Sequence, residues 1–427
     1  MNLDLAKSID RSVGRWMARV LHWFSRLVRL SRGRGEVHEV RSILVVKLWG
    51  MGNLVLLDPV IRAVRRAYPG SEITLLTLEG NREIAERHPD VDFVETFDVR
   101  SFLGLWMELP RTILALRSRR PDLVLDFEQF CHLSGILVTL ARPRQTIGFG
   151  LPGRWRGAIY NVRVPYREDR HMVEIFADVA RAAGARITGP LRLVPLALEQ
   201  EDVEAAARLL DGSETEASGA RWIAVHPGSG DNFPGRRWPI ESFSALVSRL
   251  LEHDPGLRVA VTGAASEGEL AEFLSSGLSA EARARVADLT GRTRPGVLAA
   301  LLARCQLLIS NDTGPLHLAG AMGVPVVGFF GPNTPRLYGP LGRRSMAFYA
   351  DLPCSPCITN ENAKSSSCRM PVCMRAIEPA AVLERIIGSG LLEGASGSEE
   401  CSRGGAHEAG GAVGAAPSEQ RIGRGRR

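Results

Sequence analysis

Ser310-Asn311-Asp312-Thr313-Gly314-Pro315-Leu316-His317-Leu318-Ala319-Gly320, followed by Val324-Pro325-Val326-Val327-Gly328-Phe329-Phe330-Gly331-Pro332, is the stretch that decides the fold of this chain. Leu307-Leu308-Ile309 reads as the end of a buried parallel strand, and Asn311 to Gly314 as a turn into a helix. Asp312 or Thr313 is the expected N-cap, because a short side-chain oxygen accepts from the first free backbone N–H groups. Pro315 suits the first helical turn, where its missing N–H costs nothing. Val326 to Phe330 is then the next buried strand. A helix that starts at the carboxyl end of a parallel strand presents unpaired N–H groups and the positive end of its dipole, a ready seat for phosphate. His317 lies one turn in, within reach of the same anion. An ordinary strand–turn–helix with a solvated cap would show the same local pattern.

Working outward, the same alternation recurs along the chain. Arg41 to Leu48 is a near-continuous apolar strand of the kind found inside parallel sheets. Trp49-Gly50-Met51-Gly52-Asn53 is a glycine turn, a helix runs from Leu54 to Tyr68, and Ile73 to Leu78 is the next strand. Strands at 91–94, 123–126, 146–149 and 160–164 alternate with helices at 102–117, 133–140 and 171–183. Gly189-Pro190 and Val194-Pro195 mark a hinge. The pattern then restarts: strand Trp222 to His226, turn His226-Pro227-Gly228-Ser229-Gly230, then Pro234-Gly235-Arg236-Arg237-Trp238-Pro239 before a helix at 241–251. Strand 257–262 leads into Gly263-Ala264-Ala265-Ser266-Glu267. Ile377 to Leu392 is read as a final helix. Repeated β-α units define doubly wound sheets.

Composition agrees. The chain has 427 residues, 45% of them hydrophobic and 23% charged, which suits a water-exposed globular protein with two domains. The expected division is 1–40, a basic segment and linker; 41–190 and 191–392, two α/β domains; and 393–427, a Gly-, Ala-, Ser- and Arg-rich tail that lacks the apolar content to pack. No apolar run is long enough for a membrane span, and no signal peptide is recognisable at the N-terminus. The net charge of +6 is uneven: residues 1–40 hold eight Lys or Arg against four Asp or Glu. Residues 3–30 set Trp16, Val20, Trp23, Phe24, Leu27 and Val28 on one helical face with arginines off it, a pattern that suits an anionic membrane surface or a helix packed on the protein's own body. Nucleic acid is not an expected partner.

The chain carries seven cysteines. Cys354, Cys357, Cys368 and Cys373 lie in a polar loop after the second phosphate-type turn, at a spacing that suits one tetrahedral structural zinc, free thiols or redox-sensitive pairs. Cys131 and Cys305 sit in apolar elements and read as core.

Asp312-Thr313-Gly314-Pro315-Leu316-His317 with Phe330-Gly331-Pro332 resembles the C-terminal signature of glycosyltransferase family 9, the heptosyltransferases of the lipopolysaccharide inner core. The likeness covers about residues 41–390. It implies the GT-B architecture, with two Rossmann-like domains facing across a cleft, and inverting transfer from a nucleotide-diphosphate sugar, an ADP-linked heptose or related sugar, to a lipid-linked or lipopolysaccharide-core acceptor. A cytoplasmic enzyme is expected, which the basic segment at 3–30 would hold at the inner face of the membrane. In the family a Pro-Gly-Ser turn precedes a basic residue two before Trp-Pro. Gly228, Ser229 and Arg236 hold those places, and an arginine neutralises a diphosphate in a bidentate way. Glu267 matches a position that contacts the nucleoside. Asp312, Thr313, Gly314, Pro315 and His317 complete the donor side, where fixed donors and cations replace a divalent metal.

The sequence departs from the pattern at one position. The family's catalytic aspartate, the general base, falls on Asn53, with Pro59 a few residues on. An amide does not take a proton at neutral pH. Asp58, on the first turns of the same helix, and Glu128, in Asp126-Phe127-Glu128-Gln129-Phe130 after a strand, are the alternative bases; each also reads as a structural carboxylate. The Asn53 form looks like a subgroup of the family. Two rival readings are a catalytically silent relative that binds a nucleotide sugar or a partner protein, and a sugar-nucleotide epimerase of the same architecture.

Overall fold

The computed structural model describes residues 39–99, 102–151, 157, 159–212, 220–230, 233–342, 344–362, 365–392 and 420–421. The basic segment read at 3–30 lies outside the described residues, as does the tail from 393 except for 420–421.

The first half runs β1 (Ser42–Val46), α1 (Met51–Ala67), β2 (Glu72–Leu78), α2 (Arg82–Glu86), β3 (Phe93–Phe97), α3 (Phe102–Ser118), β4 (Leu123–Asp126), α4 (His132–Ala141), β5 (Gln145–Gly150), β6 (Val162–Pro165) and α5 (Met172–Ala182). The strands form one parallel sheet in the order β3-β2-β1-β4-β5-β6. The second half runs α6 (Gln200–Asp211), β7 (Arg221–His226), α7 (Ile240–His253), β8 (Leu257–Val261), α8 (Gly268–Ser276), α9 (Ala280–Arg283), β9 (Val286–Asp288), α10 (Pro295–Ala303), β10 (Cys305–Asn311), α11 (Gly314–Ala321), β11 (Val326–Phe330), α12 (Pro335–Tyr338), β12 (Met346–Tyr349), α13 (Val372–Arg375), α14 (Pro379–Gly388) and β13 (Gln420–Arg421). Its sheet is also parallel, in the order β13-β12-β11-β10-β7-β8-β9.

Both sheets follow from period-2 side-chain alternation in strands covered on both faces. In β1, Ile43 and Val45 face a core with α1 and α5, whereas Leu44 and Val46 face Leu116 of α3 and Leu137 and Val138 of α4. In β7, Ile223 and Val225 face α7 and α14, and Trp222 and Ala224 face the opposite way. That second face joins the core of α1 and α5, so one apolar cluster runs unbroken from the first sheet to the second. The two halves are locked further by charge: Arg87, buried after α2, pairs with Asp202 and Glu83, and Arg294 pairs with Glu83 at 2.6 Å and Asp202 at 2.9 Å. Residues 184–199 form the connection and carry no helix or strand.

Two of the local differences from expectation have a plain physical cause. The final helix, read at 377–392, spans only Pro379–Gly388: Glu378 is extended (φ −80, ψ 130), because a residue before proline is disfavoured in the helical region. Helix α6, unforeseen, is fixed by a capping box in which Glu199 and Asp202 satisfy each other's backbone N–H groups.

Candidate active site

In a doubly wound sheet ligands bind at the carboxyl ends of strands where the order reverses. Here those points are β1/β4 and β7/β10. The loops that leave them are 47–50 and 127–131 in the first half, and 227–239 and 312–313 in the second.

The second-half site is tied together by Asn311. It is fully buried at the last position of β10. Its Oδ1 accepts from the Trp238 amide at 2.8 Å, and its Nδ2 donates to the carbonyls of Pro227 at 2.8 Å and Gly228 at 3.2 Å. One side chain therefore aligns the Pro-Gly-Ser turn, the Arg-Arg-Trp-Pro loop and the Asp-Thr-Gly-Pro turn. Trp238 is anchored by stacking on Phe329 with ring centroids 4.1 Å apart. Asn311→Ala would strand one buried donor and two buried acceptors, each costing about 1–3 kcal/mol. We expect roughly 3 kcal/mol of lost stability in denaturant unfolding; a loss below about 1 kcal/mol would show that the three loops hold without it.

Glu267 occupies the concave side of the Pro-Gly-Ser turn. Its Oε1 accepts from the amides of Ser229 and Gly230 at 2.9 Å, and its Oε2 from Ala264 at 3.0 Å. Burial works to raise this carboxyl, but those amides outweigh it and hold the group below its ordinary range. Gly228 has no side chain because the Glu267 carboxylate fills the space a Cβ needs. Arg237 braces the turn, with Nε donating to Ser229 Oγ at 3.0 Å. Arg236 is different. Its Nη2 donates to the Ser229 carbonyl, and its buried Nε has no hydrogen-bond partner among the described residues. Burial lowers its pKa from the usual value, and the charges of Asp312 and Glu267 oppose that shift. Nearby His226, bonded at Nδ1 to Thr262 Oγ1 at 3.1 Å, is pushed down to about 4 by burial and is neutral at pH 7.

Thr313 is the N-cap residue of α11, but its hydroxyl bonds to Ser310 Oγ at 3.0 Å and does not cap the helix. Asp312 does not cap it either; its Oδ2 accepts from Asn333 Nδ2 at 2.7 Å. The expected side-chain cap is thus absent: no side-chain oxygen caps the first turn, where Gly314 is half-buried and Leu316 fully buried. Pro315 stands at the second helical position.

The first half meets this turn directly. A Cβ on Gly52 would lie 2.8 Å from His317 Cδ2 and 3.1 Å from Gly314 Cα. The N-terminal ends of α1 and α11 therefore touch through two glycines, with His317 against them and Asn53 one residue on. Asn53 Nδ2 donates to the Trp49 carbonyl at 3.3 Å. The structure does not bring Asp58 and Glu128 to the same spot in free form. Asp58 lies about 7.5 Å further along α1 and roughly 140° around it. It is buried, with Oδ1 3.5 Å from His88 Nε2, and burial raises its pKa well above the usual range. Glu128 Oε1 takes three donors, Lys47 Nζ at 2.7 Å and the amides of Leu48 and Trp49 at 2.8 and 3.0 Å. It holds the β1–α1 turn in place.

Between the domains, side chains that the sequence reading did not single out also join the halves. Tyr338 donates to Asn360 Oδ1 at 3.0 Å, Asn360 Nδ2 donates to the Tyr166 hydroxyl at 2.7 Å, and Tyr166 donates to Glu168 Oε1 at 2.9 Å. His171 Nε2 lies 3.0 Å from the Gly339 carbonyl. Among the described residues no group of three or more His, Cys, Asp or Glu side chains stands ready to hold a metal ion. Cys354 and Cys368 are exposed, Cys357 is half-buried and Cys373 is buried, its thiol pushed up to about 11 by burial first. A cavity of about 610 Å³ opens between α6 and the 291–294 loop, floored by Ala205, Leu209 and Val297 and rimmed by Arg208, Arg292 and Arg294.

Two parallel-sheet, Rossmann-like domains that meet at their switch points make the GT-B architecture. A model of glycosyltransferase family 9 (heptosyltransferase) matches residues 110–367, more than half the chain, and the protein belongs to that family. It is 25% identical over 307 residues to lipopolysaccharide heptosyltransferase 2 of Escherichia coli K12, covering 71% of this chain and 86% of that protein. Its fold is similar to the solved structure of a family 9 glycosyl transferase from Veillonella parvula, with a TM-score of 0.70 at 21% identity over 84% of this chain and 100% of that one. It is likewise similar to E. coli ADP-heptose lps heptosyltransferase II, with a TM-score of 0.64 at 22% identity over 83% and 99%. Among the described residues no helix is long and apolar enough to cross a membrane.

Proposed function

We propose that the protein transfers a heptose or related sugar from an ADP-linked donor to a lipopolysaccharide-core or other cell-envelope glycan acceptor, with inversion at the anomeric carbon. The observation that carries this reading is the buried Arg236, with an unpartnered Nε, beside the uncapped first turn of α11 at the β7/β10 switch point. Arg236, the first-turn amides and His317 receive the charge that develops on the leaving diphosphate; preorganised donors of this kind act without a divalent metal. The cavity between α6 and the 291–294 loop, with apolar and basic lining residues, suits the nucleoside; Gly291 on its wall donates to the Gly263 carbonyl at 2.9 Å. The acceptor enters from the first domain. The basic segment at 3–30 would hold the enzyme at the cytoplasmic membrane face, where lipid-linked acceptors lie.

A second reading, a silent relative that binds a nucleotide sugar without turnover, draws on Asn53. One assay separates the two. With ADP-heptose and heptose-deficient lipopolysaccharide we expect ADP release and a heptose-sized mass gain on the lipid. ADP binding with no release from ADP-, UDP-, GDP-, dTDP- or CDP-linked sugars would favour the silent reading. No nucleotide binding at all would overturn both.

A further inference from the structure

With an amide at position 53, the transfer reading lacks a proton acceptor, and the carboxylates near the first-domain mouth differ in how far they are committed. Asp126 is fully buried, with Oδ1 accepting from the Glu128 amide at 2.9 Å and Oδ2 from Ser134 and Tyr160 hydroxyls at 3.0 and 2.7 Å. Glu128 takes three donors on one oxygen, including a buried ammonium. Asp58 faces His88 inside the first domain. Glu79 is held on both oxygens by Arg82 at 2.9 Å, and Thr96 adds a bond at 2.5 Å. Among these buried and half-buried groups Glu168 stands apart; Asp169 beside it is exposed. Glu168 follows β6 at the carboxyl end, is half-buried, accepts one hydrogen bond, and has no cationic partner among the described residues.

The direction of the bonds around it matters as much as its freedom. Tyr338 donates to Asn360, Asn360 to Tyr166, and Tyr166 to Glu168 Oε1. Every donor in the chain points toward the carboxylate, which leaves Glu168 in the acceptor role and its Oε2 without a donor among the described residues. Tyr338 and Asn360 belong to the second domain, so the arrangement is complete only when the halves are closed. Tyr338 lies on α12, which begins two residues after Asn333, the residue bonded to Asp312 at 2.7 Å. Tyr338 is also where the charges of Asp312, Glu168 and Glu128 converge, after burial the chief causes of its raised pKa.

We infer that Glu168 is the general base of the transfer, an assignment that rests on the proposed function. Its Oε2 takes the proton of the acceptor hydroxyl. The acceptor oxygen bonds to the anomeric carbon as the bond from that carbon to the diphosphate oxygen breaks, and the electron pair leaves with the diphosphate. The proton passes from Glu168 to water, so each turnover yields glycoside, ADP and one proton.

The test compares native protein and Glu168→Gln, an isosteric change, for calorimetric ADP binding and for kcat and KM with ADP-heptose and heptose-deficient lipopolysaccharide. We expect ADP affinity within about twofold, which also shows the variant to be folded, KM little changed, and kcat lower by about 10²–10⁴-fold. A Glu168→Gln kcat within about threefold of native would overturn the assignment while leaving the transfer reading intact. ADP binding without release by the native protein would overturn the transfer reading and the base with it.

Discussion

Replacing Gly52 by valine is expected to lower glycosyl transfer by at least about 10²-fold while both sheets stay folded. A Cβ at this position would stand 3.1 Å from the Gly314 backbone and 2.8 Å from the His317 ring, and a β-branched side chain adds two more carbons. The ring can turn aside; the Gly314 backbone cannot without moving α11. Gly314 is equally constrained, since a Cβ there would lie 3.3 Å from the Gly52 amide. The variant therefore separates the two helix ends. A misplacement of about 1 Å between donor and acceptor halves costs on the order of 10² in rate. Arg236 and the Ser229 turn lie away from this contact, so ADP affinity should fall by less than the rate of transfer does. Unchanged transfer by Gly52→Val would mean that the closed contact plays no part in the reaction.

Arg236→Ala should cost about 10²–10³ in kcat, the size seen when one preorganised donor to a developing anion is removed. The neighbouring arginine cannot take over, because Arg237 is spent on Ser229 and Gly230. Arg236→Lys should restore part of the loss, since a lysine keeps the charge but not the two-pronged geometry. Equal damage from alanine and lysine would assign Arg236 to packing of the Ser229 turn.

The fold was legible in the sequence where one element carries a full signal. β1 is a run of Ser42-Ile-Leu-Val-Val46 buried almost throughout, and the glycine and proline turns after β7 and β10 sit where the structure places them. β9 and β12 escaped notice because one has three residues and the other is half-buried on both faces. The turns that carry the proposed donor residues were legible because turn chemistry is local. What was not legible is which polar side chains are already engaged. Glu128 is committed by Lys47, 81 positions away, and Asn360 reaches Tyr166 across 194 positions. No spacing in the chain marks such pairs, so Asn311 as the knot of the site and Glu168 as its uncommitted carboxylate emerge only from the packed structure.

The central claim is that the 229–236 loop and the 312–317 turn seat a nucleotide diphosphate without a metal. Calorimetric titration of ADP in EDTA, on the native protein and on an Arg236→Ala, His317→Ala double variant, tests it most directly. Binding to the native protein, weakened by at least about tenfold in the double variant, is the predicted result. Equal binding by both proteins, or none by the native one, would contradict it.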